Sequence, residues 1–345
     1  MDTARKLAPI SLLLLALSAC GDDGAGDGND EVAGSDETVD TTVTATVDDS
    51  TTDGADASTD ATTSTDSSTD TGTDSDTTGE PELGCNGHVE LCDRPYDQVV
   101  FPGTHNAHSA SSEGFSVAAA NQLNNIPTQL ADGIRVMLMD TYEDPDNPGT
   151  VLLCHGSCNF GSSVHAEVLG EIVAFLEANP NEILTIIYED HVDVSLLIPD
   201  FESTGAIDLV YAHPVGEPWP TLGEMAAADT RLVITAEQGS PPPEWYQHVW
   251  DLAWDTPYGF TDFDQFSCAL NRGSSDNDLF LVNHWVSNQF GLPSAANADT
   301  ANAYDLLLGR AQECWAMWDH PTNFIAVDFY DRGDLFAVVD TLNGF

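Results

Sequence analysis

After Lys6 the chain has no lysine, and its later cations are six arginines: Arg94, Arg135, Arg231, Arg272, Arg310 and Arg332. Eight Lys and Arg stand against 58 Asp and Glu, for a formal net charge of −50. Binding to nucleic acid requires cations that neutralise phosphates, so no nucleic-acid partner is expected. Loose electrostatic docking onto anionic lipid is disfavoured for the same reason. A site that handles phosphate must rely on a few arginines or on a bound metal.

Residues 21–84 contain no aromatic residue, no Lys and no Arg. A stretch dominated by Asp, Thr, Ser, Gly and Ala cannot bury enough apolar surface to offset its ordering entropy, and its like charges extend it further. It also lacks the regular Asp-x-Asp-x-Asp-Gly loop with a closing Glu that calcium arrays use. Residues 20–84 therefore read as a disordered tether that holds a folded domain off a membrane. The apolar run Leu12–Leu17 is too short to span a bilayer. It follows Arg5 and Lys6 and ends in Leu17-Ser18-Ala19-Cys20, the small-residue pattern of a bacterial lipoprotein signal. The expectation is a signal peptide over residues 1–19, cleaved before a lipidated Cys20, in an exported protein anchored at the cell surface or in the periplasm. An ordinary secretory signal with an incidental cysteine is the alternative.

Six cysteines remain once Cys20 is set aside. An even number in an exported chain reads as disulfides. Locality pairs Cys85 with Cys92 and Cys154 with Cys158, which leaves Cys268 with Cys314. The middle pair flanks His155, and its bridge would fix the loop presenting that histidine.

Residues 85–345 are enough for one large core. Apolar runs recur at Gln98–Phe101, Ile134–Asp140, Val151–His155, Ile183–Glu189, Ile207–Tyr211, Leu232–Glu237, Leu279–Asn283 and Phe324–Phe329. Between them, residues such as Val168, Ile172, Phe175 and Leu176 keep a helical period. This alternation implies an α/β fold with a parallel sheet; Val151–His155 also fits a hairpin return beside the second strand. The middle of the chain is rich in Pro and Trp. Its tryptophans Trp245, Trp250 and Trp254, with Trp315 and Trp318, fit either a cleft lining or, as is more usual, packing. No internal repeat is evident.

Several β-like runs end on titratable residues, which is how a barrel presents a site at its strand ends. Gly103-Thr104-His105-Asn106 closes the first run, Gly133-x-Arg135 leads into Asp140, and Cys154-His155-Gly156 closes the next. Ile186-Ile187-Tyr188-Glu189 and Val327-Asp328-Phe329-Tyr330 follow in order. Together these pieces resemble the X domain of phosphatidylinositol-specific phospholipase C and related phosphodiesterases, over roughly Cys85 to Phe345. The resemblance implies an irregular TIM (β/α) barrel.

By the same resemblance, His105 is the general base and His155 the general acid, roles that suit imidazoles because their pKa lies near working pH. Asp328 would orient His105 and stabilise its charged form. Asn106, Asp140 and Glu189 match the oxygen ligands of the calcium-dependent members, and calcium is favoured by such ligands. Leu138 stands where those members usually carry a further acid, so Asp190 or water would complete the shell. Arg135 reads equally as a phosphate contact or as a buried carboxylate's partner. His284 and His191 are the additional histidines placed nearest the cleft. The implied activity is phosphodiester hydrolysis through a cyclic phosphodiester, on phosphatidylinositol, a glycosylated form of it or another phosphodiester. The alternatives are a glycerophosphodiesterase or sphingomyelinase D-like enzyme, which favour His-Arg-Gly over the Thr-His-Asn seen here, and a non-catalytic surface barrel that binds a ligand.

Overall fold

In the computed structural model, residues 84–345 are described; the signal, Cys20 and tether expectations fall outside them. Eleven strands form one sheet: β1 (Phe101–Thr104), β2 (Val136–Glu143), β3 (Val151–Leu153), β4 (Ser163–Val164), β5 (Leu184–Asp190), β6 (Val210–Tyr211), β7 (Leu232–Ala236), β8 (Gln247–His248), β9 (Ala253–Asp255), β10 (Leu279–His284) and β11 (Phe324–Val327). The main path runs β6-β7-β5-β2-β1-β11-β10-β9, and every pair along it is parallel. β3 and β4 extend β2 as antiparallel returns, and β8 pairs with β7. The last strand lies against the first, as a barrel requires, while no described ladder joins β9 to β6 or β8. The expected irregular barrel is thus a curled sheet in a single mixed α/β domain.

Helices cover its outer face, among them α1 (Ile126–Asp132), α2 (His165–Ala178) and α3 (Val194–Thr204). α1 starts where the Asn125 side chain accepts from Thr128 N and Pro127 occupies its first turn, and it stops at Gly133, whose positive φ suits a C-cap. Successive strand residues point to opposite faces, so each strand feeds two cores. Met137, Met139, Ile186, Tyr188, Ile234, Ile325 and Val327 pack outward under the helices. Phe101, Val136, Ile187, Val233, Leu281, Phe324 and Ala326 fill the interior. Among the described residues no helix is long and apolar enough to cross a membrane.

Three disulfides join Cys85–Cys92, Cys154–Cys158 and Cys268–Cys314, as locality predicts. Such bridges belong to an oxidising compartment, so the protein is an exported one. The first strand begins later than expected, because Tyr96–Gln98 forms a short 3-10 turn after Pro95. Trp254 is buried and stacks on Phe280 at 4.8 Å, and Trp245 packs on Phe201 at 4.5 Å, so these two serve the core.

Arg135 is not a substrate contact. It precedes β2, at the strand end opposite His105, and its Nε donates to Glu182 Oε2 at 2.6 Å. Its Nη1 also donates to the carbonyls of Leu130 and Ile134. Both partners are largely buried, and removing one side of such a pair strands the other charge. Arg135→Met should lower unfolding free energy by about 3 kcal/mol in a urea titration, while activity per folded molecule, whatever the substrate, stays unchanged.

Candidate active site

The inward positions continue past each hydrophobic layer to a polar tier at the carboxyl ends of the strands. Phe101 and Gly103 lead to His105, Val136 and Leu138 to Asp140, and Thr185 and Ile187 to Glu189. Val233 and Thr235 lead to Glu237, Ala253 to Asp255, Leu281 and Asn283 to Trp285, and Phe324 and Ala326 to Asp328. One cleft is lined by His105, Asn106, Asp140, Glu189, Glu237, Arg272 and neighbouring residues.

His105 is held from several sides. Its Nδ1 lies 2.8 Å from Asp328 Oδ1, on the adjoining strand. Asn121 Nδ2 donates to the same carboxylate oxygen at 2.9 Å. Gln122 Nε2 donates to the carbonyls of His105 and Val327, which ties the ends of β1 and β11 together. Trp285 stacks flat on the imidazole, with centroids 3.8 Å apart and planes within 3°. Asn106, in the left-handed region at φ 47°, turns the chain and sits between His105 and Asp140. With its amide nitrogen toward the carboxylate it donates to Asp140 Oδ1 at 2.8 Å, and its oxygen accepts from His105 Nε2. Turned the other way, its nitrogen faces His105 Nε2 at 3.1 Å. The two settings suit the charged and neutral imidazole respectively.

His155 faces His105 across 6.3 Å between ring centroids. Its Nδ1 donates to Ala119 O at 2.7 Å, leaving Nε2 for chemistry. Burial pushes its pKa below 6.5. His108 is buried near this pair, and burial pushes its pKa down to about 3, so it stays neutral.

Asp140 and Glu189 are register partners across β2 and β5. Burial first, then the charges of Glu189 and Glu237, raise the Asp140 carboxyl well above its usual range. Glu189 moves the other way, held low chiefly by a hydrogen bond from His191 Nε2 at 3.0 Å. Burial raises Glu237 to about 7 despite Arg272 Nη1 at 2.7 Å. Among the described residues no three His, Cys, Asp or Glu side chains are placed to hold a metal ion. Two carboxylates and an amide oxygen nonetheless face one cavity with negative charge to spare, a donor chemistry suited to a hard cation. Leu138 pairs in register with Ile187, and both form an apolar floor where a further acid was in question.

Two expectations fail on strand parity. His284 points outward, with Nε2 on Ala301 O at 2.8 Å and Arg310 beside Nδ1. Asp190 also points outward and accepts from the backbone of Gln238 and Gly239, so it cannot replace an acid at Leu138. The sequence reading also missed Trp285, Asn121, Glu237 and Arg272. Glu237 and Trp285 were legible as strand-end residues; Asn121 and Arg272 lie in loops with no periodic signal. Arg272 reaches the cavity because Gly273, at φ +81°, lets its loop press on β9, where a Cβ would sit 2.2 Å from Ala253 O. Its guanidinium donates to Asp255 and Glu237 and lies over the rings of Trp250 and Tyr258.

A curled parallel sheet bearing an Asp-His pair and a second histidine at its carboxyl ends defines a TIM-barrel-like α/β protein. The family model described as PI-PLC X 1 matches residues 91–343, and the chain belongs to that family. It is 28% identical over 283 residues to PI-PLC X domain-containing protein 1 of Arthroderma benhamiae, covering 76% of this chain and 90% of that protein. It is 27% identical to an uncharacterized secreted protein of the same organism, covering 75% of this chain but 64% of the relative. A PI-PLC X domain-containing protein of Arabidopsis thaliana is 28% identical, with 72% and 63% covered. The chain thus spans somewhat under two thirds of two of these relatives. A phosphatidylinositol-specific phospholipase C of Staphylococcus aureus superposes with a TM-score of 0.53 at 14% identity, covering 74% and 96% of the two chains. A variant of that enzyme gives 0.52, at 14% identity over 73% and 93%. At this identity the likeness shows the fold alone. The relatives matched by sequence are fungal and plant proteins, so the comparisons do not support a bacterial lipoprotein anchor.

In an NMR titration, the imidazole of His155 should titrate below 6.5, and His108 should stay neutral down to about pH 3. Titration of both above 6.5 would contradict the buried arrangement described.

Proposed function

We propose that the protein is a phosphoric diester hydrolase of the phospholipase C type. The observation that carries this reading is the pair His105 and His155, facing each other across 6.3 Å with Asp328 on the far nitrogen of His105. That gap suits one phosphoryl group in hydrogen-bond reach of both rings. Neutral His105 takes the proton of a hydroxyl next to the phosphodiester through Nε2. The freed oxygen attacks phosphorus, and Asp328 stabilises the imidazolium that results. As the bond to the leaving alcohol breaks, His155 delivers a proton from Nε2, and the product is a cyclic phosphodiester.

Phosphatidylinositol or a glycosylated form of it is the proposed substrate class. Exposed apolar side chains support a lipid substrate. Val117 is 89% and Phe290 75% exposed, and with Leu123, Tyr258 and Leu270 they lie on loops that follow β1, β9 and β10, at the site's end of the sheet. In the same reading Asn106, Asp140 and Glu189 would hold calcium, which when bound would offset charge that otherwise repels phosphate. Membrane attachment through Cys20 rests on the Leu17-Ser18-Ala19-Cys20 pattern alone.

Phosphatidylinositol vesicles should release water-soluble phosphate ester, with His105→Ala, His155→Ala and Asp328→Asn each losing about 10²- to 10⁴-fold. Unchanged rates in all three would reject the mechanism. Excess chelator should lower the rate if the calcium assignment holds; an indifferent rate removes that assignment and keeps the histidines. Because His155 acts in its protonated form and its pKa lies below 6.5, kcat/KM should fall as pH rises through that value. Phe290→Ser should slow vesicle hydrolysis about tenfold and leave a water-soluble substrate unaffected.

A further inference from the structure

We propose that Trp285 is a positioning residue, whose indole face fixes the imidazole of His105 in its productive orientation; this rests on the reading of His105 as the base. The ring contact is flat and close, at 3.8 Å and 3°. Trp285 itself is buried, one inward step beyond Asn283 on β10, and borders the same cavity as His105. The polar contacts of the His105 ring are made at its two nitrogens: Asp328 and Asn121 at Nδ1, Asn106 at Nε2. Hydrogen bonds at the ring nitrogens resist sliding of the ring but restrain its tilt weakly. A flat aromatic surface supplies the missing restraint, and it closes one face of the ring to water. His155 stands on another side, edge-on, and does not duplicate the contact.

The remaining charges around His105 come from other elements. Glu189 on β5 and His108 in the loop after β1 act on it through space. None of them holds the plane of the ring. Tyr258 also contacts the indole, with ring centroids 6.1 Å apart and planes tilted by 35°. The sequence Asn283-His284-Trp285 thus performs its work through the tryptophan, while its histidine turns away.

The test compares Trp285→Leu and Trp285→Phe with the parent protein, each checked for folding by thermal unfolding. Phosphatidylinositol hydrolysis gives kcat and KM, and carbethoxylation of His105 by diethylpyrocarbonate, followed by peptide mass spectrometry, reads exposure of the ring without any turnover. His88, paired with Asp340 elsewhere on the surface, is the internal reference. In Trp285→Leu, kcat should fall about ten- to hundredfold with little change in KM, and His105 should react several-fold faster (about three- to tenfold, by loss of a covering ring). Trp285→Phe should restore both toward the parent. Parent-like kcat and labelling in Trp285→Leu would overturn the proposal. So would a rise in KM alone, which would make Trp285 a wall of the substrate site. If the parent hydrolyses nothing, the phosphodiesterase reading fails, and the labelling arm still decides whether the stack restrains His105.

Discussion

The structure depends on the two-residue alternation of parallel strands around a curled sheet. Each strand contributes an inward row that is apolar at the base and titratable at or just past the carboxyl end: Phe324 and Ala326 on β11 followed by Asp328, or Val136, Leu138 and Asp140 on β2. Because neighbouring strands are in register, these rows align into tiers. The lower tiers stabilise the interior through the hydrophobic effect, and the upper tier gathers residues distant in sequence, such as His105 and Asp328. A one-residue shift in any strand would send its functional side chain into the helix layer.

This constraint explains which parts of the site were legible. Residue identity at strand ends pointed to His105, Asp140, Glu189 and Asp328, and all four lie at the cavity's end of the sheet. Where reading stopped at proximity in sequence it failed. His284 and Asp190 sit next to inward residues and therefore point outward. Arg135 failed twice, being outward and at the wrong end of β2. Loop residues carry no parity at all, so Asn121 and Arg272 had no signal short of three dimensions. Gly273 supplied a hint in retrospect, since a glycine at positive φ marks a close backbone approach.

The cavity places acids around a single arginine. Arg272 is engaged by Asp255 and Glu237 and covered by two aromatic rings, which fixes it as a part of the wall. Asp140, by contrast, has only Asn106 against it, and its charged form is opposed by burial and by Glu189 and Glu237. One side of the site is thus electrostatically closed, and the other stores negative charge that a cation or a proton relieves. The histidines lie on the open side.

The same geometry sets how the two histidines divide their tasks. Each ring has a partner on Nδ1, and His105 also meets the Asn106 amide at Nε2, but the Nδ1 partners differ in kind. His105 leans on a carboxylate, which grows stronger as a partner when the ring becomes charged. His155 leans on the neutral carbonyl of Ala119 and is largely buried, which favours its neutral form. A ring whose carboxylate partner strengthens as it gains a proton is suited to accept one in the transition state. A ring that resists charge gives its proton up readily once an anionic group has drawn it into the protonated form. In the proposed mechanism, the asymmetry between Asp328 and Ala119 gives the base a partner that strengthens as it takes up a proton and leaves the acid without one.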